Sequence, residues 1–165
     1  MPGRAPVVVR AATPHEFAEI GQLLVAAYEP GGLPHDEPYR EALRDTAARA
    51  DDAEVWVAEV AGRAVGTVTW AGHGSGQREI ARGGEAEFRM LGVAPDRQGQ
   101  GIGRALLDAV IERARRDGYA ALVLCSDAWM VGAHRLYESA GFVRLPERDW
   151  SPVPRVHLRA YHLTL

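Results

Sequence analysis

The chain has 165 residues, of which 47% are hydrophobic, and its formal net charge at neutral pH is −3. This length suits one domain over residues 1–165 with one substantial core, and the slight negative charge argues against nucleic-acid binding, which needs a concentrated basic surface. A single cysteine excludes an internal disulfide, and the lack of a long apolar run or an apolar leader predicts a cytoplasmic protein that does not enter a membrane.

The first half of the chain combines strand and helix patterns. Thr13 is a suitable N-cap for the first helix, because its hydroxyl can accept a hydrogen bond from the first turn. Gly62 separates two short strand patterns, and so short a connection predicts an antiparallel hairpin. The predicted elements are a strand over 7–10, a helix over 14–28, a helix over 39–50, and strands over 54–60 and 64–70.

The second half begins with a segment, 71–84, that holds five glycines and has no periodicity, which is typical of a loop. Gly118 and Gly141 follow the last helix-periodic residues of two later segments and predict where those helices end. The remaining predicted elements are a strand over 85–93, a helix over 103–117, a strand over 121–125, a helix over 131–140, and closing strands from 142 onward and over 155–163.

A glycine-rich turn separates the predicted strand over 85–93 from the helix that follows it. Gly99, Gly101 and Gly103 occupy alternate positions there, so the backbone can approach an anion closely. The helix directs its unpaired N–H groups and the positive end of its dipole at the same place. A strand, a glycine turn and a helix in this order predict a pyrophosphate-binding site.

The spacing of these glycines tests which phosphate ligand fits. A dinucleotide fingerprint, as in a nicotinamide-dependent oxidoreductase, needs a third glycine where Arg104 or Leu106 stands, and a nucleoside-triphosphate loop has no match in the chain. A different pattern, Gln/Arg-x-x-Gly-x-Gly/Ala, is met by Gln98, Gly101 and Gly103. In this motif the chain resembles the GNAT family, the GCN5-related N-acetyltransferases, which use acetyl-coenzyme A.

Two further segments resemble that family and occur in the family's order. Residues 87–95 are similar to its fourth strand and Val-x-Pro exit, and residues 133–142 are similar to its A-x-x-L-Y-E-x-x-G-F signature. Three motifs together are more specific than one. The resemblance implies a single α/β (α+β) domain, with a mixed, mostly antiparallel sheet of about six to seven strands, about four flanking helices, and strands four and five parallel and splayed.

The resemblance also implies how acetyl-coenzyme A (acetyl-CoA) is held as a co-substrate. The pantetheine arm would pair with the backbone of strand four at Leu91, Gly92 and Val93, and the pyrophosphate would lie on the glycine turn. No histidine spacing in the chain is that of a metal site, so no metal is predicted. The residues implied for the pyrophosphate are Gln98, Gly99, Gln100, Gly101, Ile102, Gly103 and Arg104.

Glu87 is the predicted base. An amine acceptor with a pKa of ~10.4 is protonated at neutral pH and must lose a proton before it attacks a thioester. Glu87 matches a position where several family members carry a glutamate that relays this proton, and a salt bridge to an arginine is the alternative interpretation. Glu85 is the reserve candidate. Strict alternation places Glu87 and Leu91 on one face of the strand unless a bulge intervenes.

Tyr137 is the predicted acid, which would protonate the departing thiolate of coenzyme A. It matches the tyrosine of the family signature, and a packed ring is the alternative. Met130 stands where many members carry an asparagine that bonds the cofactor arm, and a methionine cannot donate that bond. Ser126 and His134 are the predicted substitutes, although a surface position is the other interpretation of His134.

The resemblance therefore implies acetyl-CoA-dependent N-acetylation of a primary amine on a small molecule, peptide or protein. The alternative is a module of the same fold that binds acyl-coenzyme A without turnover. The acceptor is expected to contact segments 30–39, 71–84 and 146–155, and Asp36 and Glu37 would attract a cationic amine. A homodimer is a common outcome for soluble enzymes, but no segment specifies an interface.

Overall fold

The computed structural model describes residues 3–33 and 38–165, so Asp36 and Glu37 lie outside the described residues. The strands in these two ranges are β1 (Val7–Ala11), β2 (Glu54–Val60), β3 (Arg63–Ala71), β4 (Glu85–Val93), β5 (Ala121–Asp127), β6 (Val143–Arg144) and β7 (Leu158–Thr164). The α-helices are α1 (Phe17–Tyr28), α2 (Pro38–Arg44), α3 (Thr46–Ala50), α4 (Ile102–Arg116) and α5 (Val131–Ser139), and short 3₁₀ turns occupy Pro14–Glu16, Glu29–Gly31, Pro95–Arg97 and Pro146–Arg148.

Most predicted elements are confirmed to within a few residues, and two differ. The helix predicted over 39–50 is two helices, α2 and α3, because Asp45 accepts a hydrogen bond from the N–H of Ala48 at 3.0 Å and caps a new helix. The last strand begins at Leu158 rather than at 155. The N–H of Val156 donates to the carbonyl oxygen of Val153 at 3.1 Å, so a turn occupies the start of the predicted strand.

The strands form one seven-stranded sheet in the order β1-β2-β3-β4-β5-β7-β6. All neighbouring strands are antiparallel except β4 and β5, which are parallel. A parallel pair needs a long crossover, and α4 supplies it here. The predicted mixed sheet with its fourth and fifth strands parallel is confirmed.

The parallel strands β4 and β5 pair only where they begin. Glu85–Glu87 align with Ala121–Val123, although β4 continues to Val93 and β5 to Asp127. The two strands therefore diverge towards their carboxyl ends. This confirms the predicted splay and leaves a gap in the sheet that opens towards the glycine turn.

A bulge in β4 changes which side chains share a face. Thr67 aligns with Gly92 but Thr69 aligns with Arg89, so one residue of β3 lies opposite two of β4. Met90 is at the bulge and has a φ of 53°. Because of the extra residue, Leu91 packs with Phe88 in the main core, and Glu87 faces the opposite side of the sheet.

Helices cover both faces of the sheet. The larger core lies between the sheet and α4 with α5, and a smaller one lies beneath α1 and α2. Each fully buried leucine in these cores stabilises the fold by about 1.5–3 kcal/mol relative to an exposed one. The central strand β4 is thereby held from both sides at the edge of the gap. Fully buried core side chains include Leu24, Leu43, Leu106, Leu107, Val110 and Leu122.

Candidate active site

The glycine turn joins the end of β4 to α4. Gly99 and Gly101 have φ of 73° and 82°, a region that glycine adopts without the steric cost of a Cβ. A Cβ at either position would meet no heavy atom within 4 Å, so the turn has an open surface. Gln98 and Gln100 donate from their side-chain amides to backbone carbonyls that precede them. α4 begins at Ile102, and its first N–H groups have no acceptor within the helix. These N–H groups can donate to an anion, so the start of α4 fits a diphosphate.

The first turn of α4 packs tightly under this surface. Ile102 is buried in the main core and anchors the helix. A Cβ at Gly103 would lie 3.3 Å from Cδ2 of Leu136, so glycine lets α4 approach α5 closely. Arg104 is exposed, and its Nε donates to Asp108 Oδ1 at 2.8 Å. The turn thus has a tightly packed base, and an exposed cation follows at the third residue of α4.

A cavity of about 540 Å³ lies where β4 and β5 diverge. Its walls include residues 88–91 of β4 and 124–127 of β5, which are parts of the two strands that do not pair with each other. The volume lies within the ~300–1,000 Å³ that is usual for small-molecule sites. The splayed strands therefore leave a ligand-sized space where their pairing has ended.

The segments predicted to contact the acceptor reach this cavity. Leu33 and Tyr39 contribute from the first segment, Glu79 from the second, and Val153 and Arg155 from the third. They are far apart in the sequence, and the fold brings them together over the carboxyl ends of β4 and β5.

Tyr137 of α5 lines the cavity and is only 4% exposed. Its ring packs edge-on against Phe88 and Phe142, with centroid distances of 5.9 and 6.0 Å. Burial raises the pKa of the Tyr137 hydroxyl well above its ordinary value, and Tyr161 nearby adds to the shift. The phenol is therefore protonated at neutral pH, which is the form that a proton donor needs. Its role as the acid stays a prediction.

Ser126 and His134 differ in what their side chains contact. His134 is not a surface residue, so that interpretation is wrong: it is 6% exposed, and its Nε2 lies 3.1 Å from the carbonyl oxygen of Asp127. Ser126 lines the cavity and is 4% exposed, and its Oγ has no hydrogen-bond partner within residues 3–33 and 38–165. Met130 packs against the smaller core. Ser126 thus offers a hydroxyl without a partner among the described residues, and its role in place of the asparagine stays a prediction.

Glu87 is fully buried beneath the loop between β3 and β4. Its Oε1 accepts hydrogen bonds from the N–H groups of Ile80 and Ala81 at 2.9 and 2.8 Å, and its Oε2 accepts one from Glu79 at 2.9 Å. Burial raises the pKa of the Glu87 carboxyl, and the three N–H donors oppose that shift. Glu87 lies behind the cavity wall and holds the loop, and its role as the base stays a prediction.

Glu85, the reserve candidate, is paired with an arginine. Both of its oxygens accept from Arg148, at 2.5 and 3.0 Å, and Oε2 also accepts from the N–H of Arg82 at 3.0 Å. Partial burial raises the pKa of Glu85, but the hydrogen bonds from Arg148 and Arg82 outweigh it and the net pKa is lowered. This carboxylate is ionised, fully engaged and outside the cavity wall.

Glu79 is a cavity residue that sequence reasoning did not single out. Its Oε1 lies 3.0 Å from Nε of Arg89, and the two side chains are 19% and 17% exposed. Burial raises the pKa of the Glu79 carboxyl, and Arg89 opposes the shift. Glu79 belongs to a loop without periodicity and is placed by hydrogen bonds to Glu87. The only sequence signal for it was the prediction that segment 71–84 contacts the acceptor.

Neither a metal-binding cluster nor a membrane-spanning helix occurs within residues 3–33 and 38–165. No group of three or more His, Cys, Asp or Glu side chains there is arranged to hold a metal ion. None of the helices in these ranges has both the length and the hydropathy needed to cross a bilayer.

Known protein sequences resemble this chain over its central part. Residues 17–142 match the model of the Acetyltransferase (GNAT) family. An N-acetylaspartate synthetase of Danio rerio is 37% identical over 99 residues, which are 60% of this chain and 33% of that protein. The chain spans about a third of the length of the first curated relatives that it matches.

Solved structures share the whole fold. An acetyltransferase of the GNAT family from Staphylococcus aureus Mu50 superposes with a TM-score of 0.76 at 16% identity, over 97% of this chain and 99% of that one. The Salmonella typhimurium protein yncA, solved with its cofactor acetyl-CoA, gives 0.67 at 24% identity, over 96% and 94%. The chain thus has the fold of these structures. With the family match over most of its length, the chain belongs to the GNAT family.

Proposed function

We propose that the protein transfers an acetyl group from acetyl-CoA to a primary amine. The observation that carries this proposal is the gap between β4 and β5, which holds the cavity and lies on the strand that leads into the glycine turn. Bound acetyl-CoA would supply a thioester that the amine attacks directly. Backbone groups of Leu91, Gly92 and Val93 would hold the pantetheine arm in the gap, and the turn from Gln98 to Arg104 would hold the diphosphate.

The proposed chemistry needs one proton removed from the amine and one given to the departing sulfur. Tyr137 suits the second task, because it is protonated, buried and part of the cavity wall. Glu87 is the proposed base for the first. Since it lies behind the cavity wall, a water molecule would relay the proton to it.

The names of curated relatives support an amine as the acceptor. They include N-acetylaspartate synthetase and N-acetyltransferase 8. Because those proteins extend well beyond the matched region, their own acceptors are not carried over to this chain. The cytoplasmic location and the homodimer stay predictions.

Binding and turnover are tested separately. Calorimetry with acetyl-CoA tests the turn and the gap, and a panel of amines and peptides with detection of free thiol tests transfer. We expect a heat of association and acceptor-dependent release of coenzyme A. No heat with acetyl-CoA would contradict both the proposed transfer and any role in coenzyme binding.

A sensor of acyl-coenzyme A is the second candidate function. It is favoured by Met130, which packs into the smaller core and offers no hydrogen-bond donor to the cofactor arm. Saturable binding of acetyl-CoA with no thiol release across the amine panel would support the sensor over the enzyme.

A further inference from the structure

One carboxylate faces the cavity from the loop between β3 and β4. Glu79 lies in the cavity wall, and its Oε1 is paired with Nε of Arg89 at 3.0 Å. Nη1 of Arg89 is directed elsewhere, to Oε1 of Gln77 at 3.0 Å. A carboxylate offers about four acceptor positions. The ion pair therefore orients Glu79 and leaves it capacity to accept hydrogen bonds from a second cation.

The fully buried Glu87 fixes the backbone at Glu79. Its carboxylate accepts hydrogen bonds from three consecutive N–H groups, of Glu79, Ile80 and Ala81. Hydrogen bonds to an ionised group are roughly twice as strong as neutral ones. Glu79 is thus a fixed part of the cavity wall, although it belongs to a glycine-rich loop.

Aromatic rings line the same cavity as Glu79. Tyr28 lies 6.3 Å from Tyr39 and 6.2 Å from Trp129 between ring centroids, and all three line the cavity. The indole of Trp129 lies directly on Gly31, where a Cβ would fall 1.5 Å from the ring. A cavity lined by a carboxylate and several aromatic rings suits an ammonium group on an apolar body, because cations are attracted to aromatic faces.

Cations that would bind a carboxylate are scarce in this cavity. Arg89 and Arg155 are the positively charged side chains of the described residues that line it. Arg89 is engaged by Glu79 and Gln77, and Arg155 is exposed at the outer rim. An acceptor with a carboxylate beside its nitrogen would bring that carboxylate close to Glu79, where the cation Arg89 is already paired. Such an acceptor is therefore expected to bind less well.

We propose that Glu79 binds the ammonium group of the acceptor, and that the acceptor is a primary amine on an aromatic or aliphatic body without a carboxylate beside the nitrogen. This inference rests on the proposed function, in which the cavity receives the amine. Glu87, the proposed base, has a second task in this inference, because its hydrogen bond from the N–H of Glu79 fixes the backbone there.

Calorimetry with 2-phenylethylamine, added to protein saturated with coenzyme A, tests the contact without turnover. Glu79→Gln removes the charge, and we expect amine binding about 10- to 100-fold weaker. Glu112→Gln is the matched control, because Glu112 is exposed on α4 and outside the cavity. Both variants are expected to bind coenzyme A as the wild type does. Equal amine affinity in Glu79→Gln and Glu112→Gln would overturn the inference.

Two more variants separate recognition from folding. Glu79→Asp keeps the charge and is expected to bind the amine more tightly than Glu79→Gln. Glu87→Gln is expected to raise KM for the amine, since it loosens the loop that carries Glu79, and to lower kcat, since it removes the proposed base, with unchanged affinity for coenzyme A. A loss of both affinities together with a lower Tm would instead show that Glu87 serves the fold as a whole.

Acceptor preference provides a test on the wild type alone. In the thiol assay, 2-phenylethylamine is expected to exceed L-phenylalanine and L-aspartate in kcat/KM by about tenfold, the cost of one unpaired charge. Faster turnover of either amino acid would overturn this inference and leave the proposed function standing. Binding of 2-phenylethylamine without thiol release from any acceptor would overturn the proposed acetyl transfer and leave the assignment of Glu79 as an amine-binding residue standing.

Discussion

Tyr137→Phe removes one oxygen from the cavity wall and keeps the ring that packs against Phe88 and Phe142. Because the phenol is the proposed proton donor to sulfur, we expect kcat to fall about 100-fold with little change in the affinity for acetyl-CoA. Steady-state thiol release measures this. Tyr119→Phe is the control, since Tyr119 packs against Trp70 away from the cavity. A kcat equal to that of the control would exclude Tyr137 as the acid.

Ser126→Ala tests the replacement for the missing asparagine. The buried Oγ of Ser126 faces the cavity and has no partner among the described residues, so its loss should cost nothing in the free protein. If this oxygen bonds the cofactor arm, we expect Kd for acetyl-CoA to rise about 3- to 10-fold. Ser139→Ala on the exposed side of α5 is the matched control. Equal Kd values would show that the arm is held without Ser126.

Residues inside sequence motifs could be predicted, and residues placed by distant contacts could not. Tyr137 followed from the pattern around it. His134 lies three residues earlier but is buried by packing on Tyr161 of β7, which no local pattern reveals. Glu79 is held by hydrogen bonds to Glu87 across a turn without periodicity. Their positions depend on the assembled sheet, and short-range spacing does not encode it.

Gly101→Ala tests the turn as an element. At a φ of 82° an alanine is strained, and we expect a loss of about 1–2 kcal/mol in the free energy of unfolding. Its Cβ would also project from the open surface that faces the diphosphate, so Kd for acetyl-CoA should rise about tenfold. Gly62→Ala is the matched control, with a φ of 79° and equally open surroundings. We expect Gly62→Ala to lose similar stability and to keep the affinity for acetyl-CoA. Calorimetry with acetyl-CoA compares the affinities of the two variants.

Glu16 links β1 to the start of α1 and makes stability depend on pH. Hydrogen bonds from Arg10 hold the pKa of Glu16 down to about 2, below the ~4.3 of an unfolded glutamate. The stabilisation is therefore complete above about pH 5 and is lost as the pH falls towards 2. We expect Glu16→Gln to cost about 1 kcal/mol at neutral pH and much less near pH 2, where the Glu16 carboxyl is half protonated, in urea unfolding. Glu19→Gln, at an exposed position of α1, is the control for the loss of one surface carboxylate.

Elements with one clear period could be predicted, and irregularities within them could not. The strand over 85–93 has the predicted bounds. The bulge at Met90 leaves no trace in the pattern, because Phe88, Met90 and Leu91 are all apolar and are buried on different faces. The break at Asp45 carried a sequence signal, since aspartate is a good N-cap, but the flanking alanine-rich pattern obscured it.

At the scale of the whole molecule, topology could be predicted further than geometry. A helix between two strands predicts a parallel pair, and β4-α4-β5 is one. The splay of that pair came only from the family resemblance, because strand periodicity does not say where pairing stops. The cavity depends on this splay and on three loops that meet above it, so its shape and contents required the structure.

The gap between β4 and β5 predicts where acetyl-CoA changes the backbone. Beyond Glu87, β4 remains paired with β3 but is no longer paired with β5. The β4 amides that face the gap should therefore exchange with solvent faster than those bonded to β3. Bound acetyl-CoA would cover them, and we expect slower hydrogen exchange over 91–93 and 98–104, with little change in β1 and β2. Melting should also shift, by an amount equivalent to about 2.7 kcal/mol at a hundredfold excess over Kd. A nicotinamide dinucleotide is the control and should change neither. Protection confined to other strands would contradict the placement of the cofactor in the gap.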